Sequence, residues 1–257
     1  MTCLAFTAID AGAAAVIEDE VGKSSDPIGL SISYRSWDAE WELPYNIEAD
    51  VGEETVSSIA VSYGLSNTTY IQAIYTSGSG WDASGLPAFE GGGEEIERSE
   101  LQLLIGSVNA DPATPLNSMS FVFGYHMIES TSPGSIWFPD TRTTRPYMLE
   151  TTAHGVDIGL GFSREAIPHV GLFLSGAVGV YWIETEATTR PDVNYDDITA
   201  GYNLEAGVVG QYGIASAKLG YRYWTIVGAF DPTGSEPAIE GEDDRLSGVF
   251  FELGVAL

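Results

Sequence analysis

Large apolar side chains alternate with small or polar ones along several stretches of the chain, beginning with Ile28, Leu30, Ile32 and Tyr34 set against Gly29, Ser31, Ser33 and Arg35. A period of two puts each set on its own face of an extended strand. The alternation returns in residues 155–163, where Val156, Ile158, Leu160 and Phe162 oppose Gly155, Asp157, Gly159, Gly161 and Ser163. From Val170 to Trp182, Leu172, Leu174, Val178 and Val180 oppose Gly171, Phe173, Ser175, Ala177, Gly179 and Tyr181. Near the C-terminus Val249, Phe251, Leu253, Val255 and Leu257 oppose Gly248, Phe250, Glu252, Gly254 and Ala256. Weaker versions at residues 56–64, 69–76, 98–108, 117–128, 198–212 and 215–226 bring the predicted strands to ten.

The links between these segments alternate in length. Short ones fall at 65–68, 109–116, 164–169 and 213–214, and long ones at 38–55, 77–97, 129–154, 183–197 and 227–244. Short turns at one end and long loops at the other are the pattern of membrane barrels. The link Gly213-Ile214 allows a register to be predicted, because Gly at the first place of a two-residue loop favours a type II′ turn. That turn pairs Tyr212 with Ala215, and so Leu204 with Tyr223, Ala206 with Tyr221, Val208 with Leu219 and, on the opposite face, Glu205 with Arg222.

Composition narrows the class. A formal charge of −27 with only two lysines, Lys23 and Lys218, opposes a nucleic-acid partner, since phosphate binding needs clustered cations. No stretch approaches the roughly 20 apolar residues of a membrane-spanning helix, which leaves the closed barrel as the membrane-spanning form. One cysteine, Cys3, excludes an internal disulfide. Residues 1–15 end in Asp10-Ala11-Gly12-Ala13-Ala14-Ala15 and read either as the remnant of a secretory signal peptide or as a frayed N-terminus. Residues 16–257 then form a single domain. The expectation is an all-β fold, a closed antiparallel up-and-down transmembrane β-barrel of about ten strands.

This pattern resembles the small bacterial outer-membrane barrels of the OmpA-like and opacity-protein, porin-like type. The C-terminal strand, Arg245 to Leu257, is similar to their closing strand, although it ends in Leu257 where an aromatic is commoner, and ten strands exceed their usual eight. The resemblance implies an integral place in the Gram-negative outer membrane, among its lipids and lipopolysaccharide, and carries no catalytic motif.

Candidate chemistry lies on the predicted inner face. Arg35, Glu100, Asp157, Glu205, Lys218, Arg222 and Glu252, with Gln102, Asn203 and Gln211, would share a lumen, where ionised groups must be paired or hydrated. Such a network is either a charged eyelet that selects solutes or a filler that holds the barrel's shape. His126 and Asp157 form the best acid–base pair, yet no nucleophile stands beside them and no paired aspartates cross the rim as in the omptin proteases, so no enzyme and no cofactor is expected.

The outer links are acidic: Glu48, Asp50, Glu53 and Glu54; Glu90, Glu94, Glu95 and Glu97; Glu236, Glu240, Glu242, Asp243 and Asp244. None has the spacing of a calcium loop. They read as solvated surface, with divalent cations bridging to lipopolysaccharide as the alternative, and no dedicated metal site. Trp137, Phe138, Arg142 and Arg145 mix aromatics with arginine in the third link, a composition suited to binding. Tyr34, Tyr125, Tyr181, Trp182, Tyr221 and Tyr223 are expected in the interfacial aromatic girdles. The function expected is a structural barrel or narrow passive channel; the alternatives are a surface adhesion protein acting through its loops and a soluble lipocalin-like carrier with an apolar lumen.

Overall fold

The computed structural model describes residues 29–42, 53–82, 95–111, 114–138, 143–187, 190–227 and 243–257. They form ten strands: β1 (Leu30–Glu42), β2 (Glu53–Gly64), β3 (Thr69–Asp82), β4 (Glu95–Asp111), β5 (Thr114–Phe138), β6 (Thr143–Ile167), β7 (Val170–Ala187), β8 (Arg190–Tyr212), β9 (Ala215–Val227) and β10 (Asp244–Ala256). Each strand pairs antiparallel with its neighbours in sequence, and β10 closes on β1 from Ser31 opposite Ala256 to Glu42 opposite Arg245. Closure leaves no sheet edge along the paired length, the condition for backbone to cross lipid.

The two faces are inside-out relative to a soluble barrel. Outward positions on every strand carry half-exposed apolar side chains, among them Ile32, Ile59, Ile71, Leu103, Phe123, Ile158, Leu174, Leu204, Leu219 and Phe251. On β10 the outward set runs from Val249 to Leu257, each 42–60% exposed, and nine residues of tilted strand match the roughly 9–11 needed to cross a bilayer. Inward positions on the same strands hold Arg35, Arg98, Glu100, Glu205, Lys218, Arg222 and Glu252, all buried.

The β8–β9 hairpin has the predicted register, with Tyr212 opposite Ala215 and Glu205 opposite Arg222. Gly213 supplies the positive φ of 58° that a first-position residue needs in a type II′ turn. Gly213→Ala should therefore lower the urea midpoint of the refolded barrel by the equivalent of about 1–2 kcal/mol, the cost of an L side chain in that region, with an unchanged m-value. An unaltered midpoint would remove the turn assignment.

Two long links differ from expectation. Residues 129–138 and 143–154 continue β5 and β6 as a paired hairpin out to Phe138 opposite Thr143, and residues 183–187 and 190–197 do the same for β7 and β8. Trp137, Phe138 and Arg145 therefore stand in strands rather than in a loop, and Arg142 lies outside the described residues. Pro133, Gly134 and Pro146, residue types that more often mark turns, lie within these strands. The prolines fall beyond Thr131, the last β5 residue paired with β4, and beyond Leu149, the last β6 residue paired with β7. A strand with one partner tolerates a missing N–H. Residues 1–15 lie outside the described residues, as do Glu48, Asp50, Glu90, Glu94, Glu236, Glu240 and Glu242.

Candidate functional site, a charged and aromatic plug in the lumen

Five strands, β1, β4, β8, β9 and β10, contribute to a chain of ion pairs that crosses the lumen. Lys218 Nζ on β9 lies 3.4 Å from Glu252 on β10, and Glu252 accepts from Arg35 Nε on β1 at 2.7 Å. Arg35 also grips Glu205 on β8 through both terminal nitrogens, at 2.8 and 3.3 Å. Glu205 stands 3.4 Å from Arg222 on β9, and Arg222 is 3.9 Å from Glu100 on β4. Glu100 accepts from Arg98 at 2.9 Å, and Arg98 reaches across to Asp244 on β10, also at 2.9 Å. The chain thus alternates in sign from Lys218 to Asp244. Each buried ion has an opposite charge beside it, which is what makes its burial bearable.

A branch leaves Glu100 through His126 on β5. The imidazole is 1% exposed, with Nε2 at 3.4 Å from Glu100 and Nδ1 at 3.6 Å from Asp157 on β6. Tyr181 sits between: its hydroxyl lies 3.1 Å from His126 Nδ1 and donates to Asp157 at 2.7 Å. The structure thus brings His126 and Asp157 together, inside the wall of the lumen and bridged by a phenol. Tyr181 is 2% exposed, which corrects its expected place in the aromatic girdle, whereas Tyr34, Tyr125, Trp182 and Tyr221 do face outward.

Aromatic rings fill the space between the ions. The Arg35 guanidinium lies 4.2 Å over the Phe250 ring, Arg98 4.4 Å over Trp224 and Arg222 4.8 Å over Trp37. A flat guanidinium stacks on a ring while its edge bonds carboxylates, so one side chain satisfies both kinds of neighbour. An eight-stranded barrel is filled by ordinary side chains. The wider ten-stranded lumen here is filled by Trp37, Trp224 and Phe250, each at most 1% exposed. Small residues in the wall make room for these rings. Tyr181 lies over Gly155, Gly179 and Gly201, where a Cβ on Gly201 would come within 2.7 Å of the ring. Phe173 covers the facing pair Gly207 and Gly220.

Arg35, Gln102, His126, Asp157, Glu205, Arg222 and Glu252 border a cavity of about 80 Å³ in the lumen. That is room for a few waters, not for a solute.

Sequence reasoning missed Arg98 and Asp244. Arg98 shares strand parity with Glu100, a signal that was available, whereas Asp244 looked like part of a solvated acidic link. The structure buries Asp244 against Arg98. Among the described residues no three His, Cys, Asp or Glu side chains are grouped to hold a metal ion.

No family model and no curated protein matches the chain in sequence. Among solved structures it is similar to the outer membrane protease OmpT from Escherichia coli, with 11% identity over 93% of this chain and 99% of that one and a TM-score of 0.49. It is also similar to Neisserial surface protein A, with 9% identity over 88% of this chain and 96% of that one and a TM-score of 0.40. A third similarity is to the translocator domain of autotransporter NalP from Neisseria meningitidis, with 9% identity over 90% of this chain and 89% of that one and a TM-score of 0.46.

Proposed function

We propose that the chain is an integral protein of the bacterial outer membrane whose barrel is sealed, so that it serves as a membrane-embedded scaffold acting through its outward wall rather than as a channel or an enzyme. The apolar exterior on all ten strands supports the membrane setting, with outer-membrane lipids and lipopolysaccharide as its surroundings. The same feature opposes a soluble lipocalin-like carrier, which needs the reverse arrangement. The single observation that carries the sealed reading is the sign-alternating chain from Lys218 to Asp244, packed with stacked rings around a cavity of about 80 Å³.

A solute entering this lumen would have to separate buried ion pairs, at several kcal/mol for each ion left without a partner. The filler role is therefore favoured over the eyelet. Planar-bilayer recording on the refolded protein tests it: wild type and Arg222→Ala should both give no conductance steps. A stable current in wild type that changes in selectivity when Arg222 is replaced would overturn the sealed reading and restore the eyelet. The extension of β5 to β8 beyond the apolar band favours surface display as the second reading, since these strands raise acidic side chains such as Glu129, Glu150, Glu184 and Glu186 above the lipid.

A further inference from the structure

The outside of strands β2 to β6 carries two depressions, one above the other. The upper one, of about 720 Å³, lies at the long-strand end and is lined by hydroxyls and carboxylates. The lower one, of about 530 Å³, lies in the apolar band. Both volumes fall in the roughly 300–1,000 Å³ range of small-molecule sites.

The upper depression has an ordered floor. Ser57, Ser77, Ser99, Glu129 and Thr152 are directly paired neighbours, one from each of β2 to β6, and form an unbroken lateral row of outward oxygen groups. The next row adds Glu97 and Glu150, each opposite Thr131. Among the described residues Arg98 is the one basic residue at its border, and its guanidinium is turned into the lumen against Glu100 and Asp244. Ionised carboxylates only accept hydrogen bonds, so this surface suits a headgroup rich in O–H donors and repels a bare phosphate.

The lower depression is made by Ala73, a small residue between Val61 and Leu103 in one lateral row. Ile71, Ile105 and Phe123 wall it in. Tyr75 lies between the two depressions: it stands two residues above Ala73 on the same face of β3, is 53% exposed and borders the upper one. A ligand that uses both must be polar at one end and a hydrocarbon at the other. Tyr75 would offer its ring where the two ends meet.

We infer that this wall is a binding site for a neutral glycolipid of the outer leaflet, its sugar hydroxyls on the row from Ser57 to Thr152 and an acyl chain over Ala73. The inference rests on the membrane reading above. Native mass spectrometry of the full chain, released from nanodiscs in a detergent without a sugar head and with chelator present, tests it on defined probes. These are a monohexosyl diacylglycerol, phosphatidylglycerol and phosphatidylethanolamine.

The neutral glycolipid should be retained at least ten-fold over phosphatidylglycerol. Ala73→Phe should cut that retention about ten-fold by filling the depression, and Glu97→Lys with Glu129→Lys should reverse the preference towards phosphatidylglycerol. Equal retention of all three probes overturns the inference, as does a preference for phosphatidylethanolamine, phosphatidylglycerol bound only after magnesium is added, or variants that behave as wild type. All three substitutions lie on the outer surface, and unchanged electrophoretic mobility of the unheated protein reports that the barrel has formed. Failure of the chain to float with vesicles would instead remove the membrane reading itself.

Discussion

Arg35→Met is expected to cost the refolded barrel about 3–5 kcal/mol, the usual penalty for removing one partner of a buried ion pair. Arg35 is 6% exposed and is the cation that bonds Glu205 and Glu252 together. Without it two carboxylates are left in the lumen, with Arg222 at 3.4 Å from one and Lys218 at 3.4 Å from the other as their remaining partners. Methionine keeps much of the volume of the aliphatic stem but supplies neither a donor nor a cation to stack on Phe250. Adding Glu205→Gln should recover part of the loss, because it neutralises one of the stranded charges. The measurement is the urea midpoint in detergent micelles, followed by tryptophan fluorescence. A loss under 1 kcal/mol in the single variant would show that the ions are hydrated rather than locked in a dry plug.

The second large effect concerns the seam. Gly248 on β10 pairs with Ala39 on β1 and with Arg222 on β9, where the first and last strands meet. A Cβ there would overlap the backbone carbonyl oxygen of Asp38 and lie 2.8 Å from Trp37 Nε1. Overpacking costs about 1–3 kcal/mol where side chains can move aside, and more where the obstacle is backbone. Gly248→Val should therefore prevent β1 from docking on β10. The expected result is loss of the compact, fast-migrating species in unheated gels, whereas Leu253→Val on the same strand, facing outward, should keep it. A compact species from Gly248→Val would mean that the seam can shift its register.

These two sites show what the amino-acid order did and did not reveal. Alternation identified the strands because one face meets lipid and the other a polar lumen, and that contrast is steep from Val249 to Leu257. The turn at Gly213 was legible because its φ demands glycine, and with it came the pairing of Glu205 with Arg222. Arg35, Glu100, Asp157, Lys218 and Glu252 could be assigned to the lumen by parity alone. Their connectivity could not, since Arg98 and Asp244 are separated by 146 residues and meet only across the closed barrel. The upper reaches of β5 to β8 were illegible for a different reason. There Glu129, Glu150, Glu184 and Glu186 replace the apolar side chains of the outward face, so the contrast between the two faces fades. Tyr181 was ambiguous because a half-polar ring suits an interface and a lumen equally, and the glycines at 155, 179 and 201 that make room for it sit on three different strands.

The long sequence separation of the lumen contacts bears on the order of events in assembly. Arg35 meets Glu205 and Glu252 across 170 and 217 residues, so neither bond can exist before the last strand has docked. Interactions absent from the transition state slow unfolding without hastening folding. The ions therefore act as a latch thrown after closure. They lengthen the lifetime of the finished wall, and a chain stripped of them would assemble at nearly its normal pace and come apart sooner.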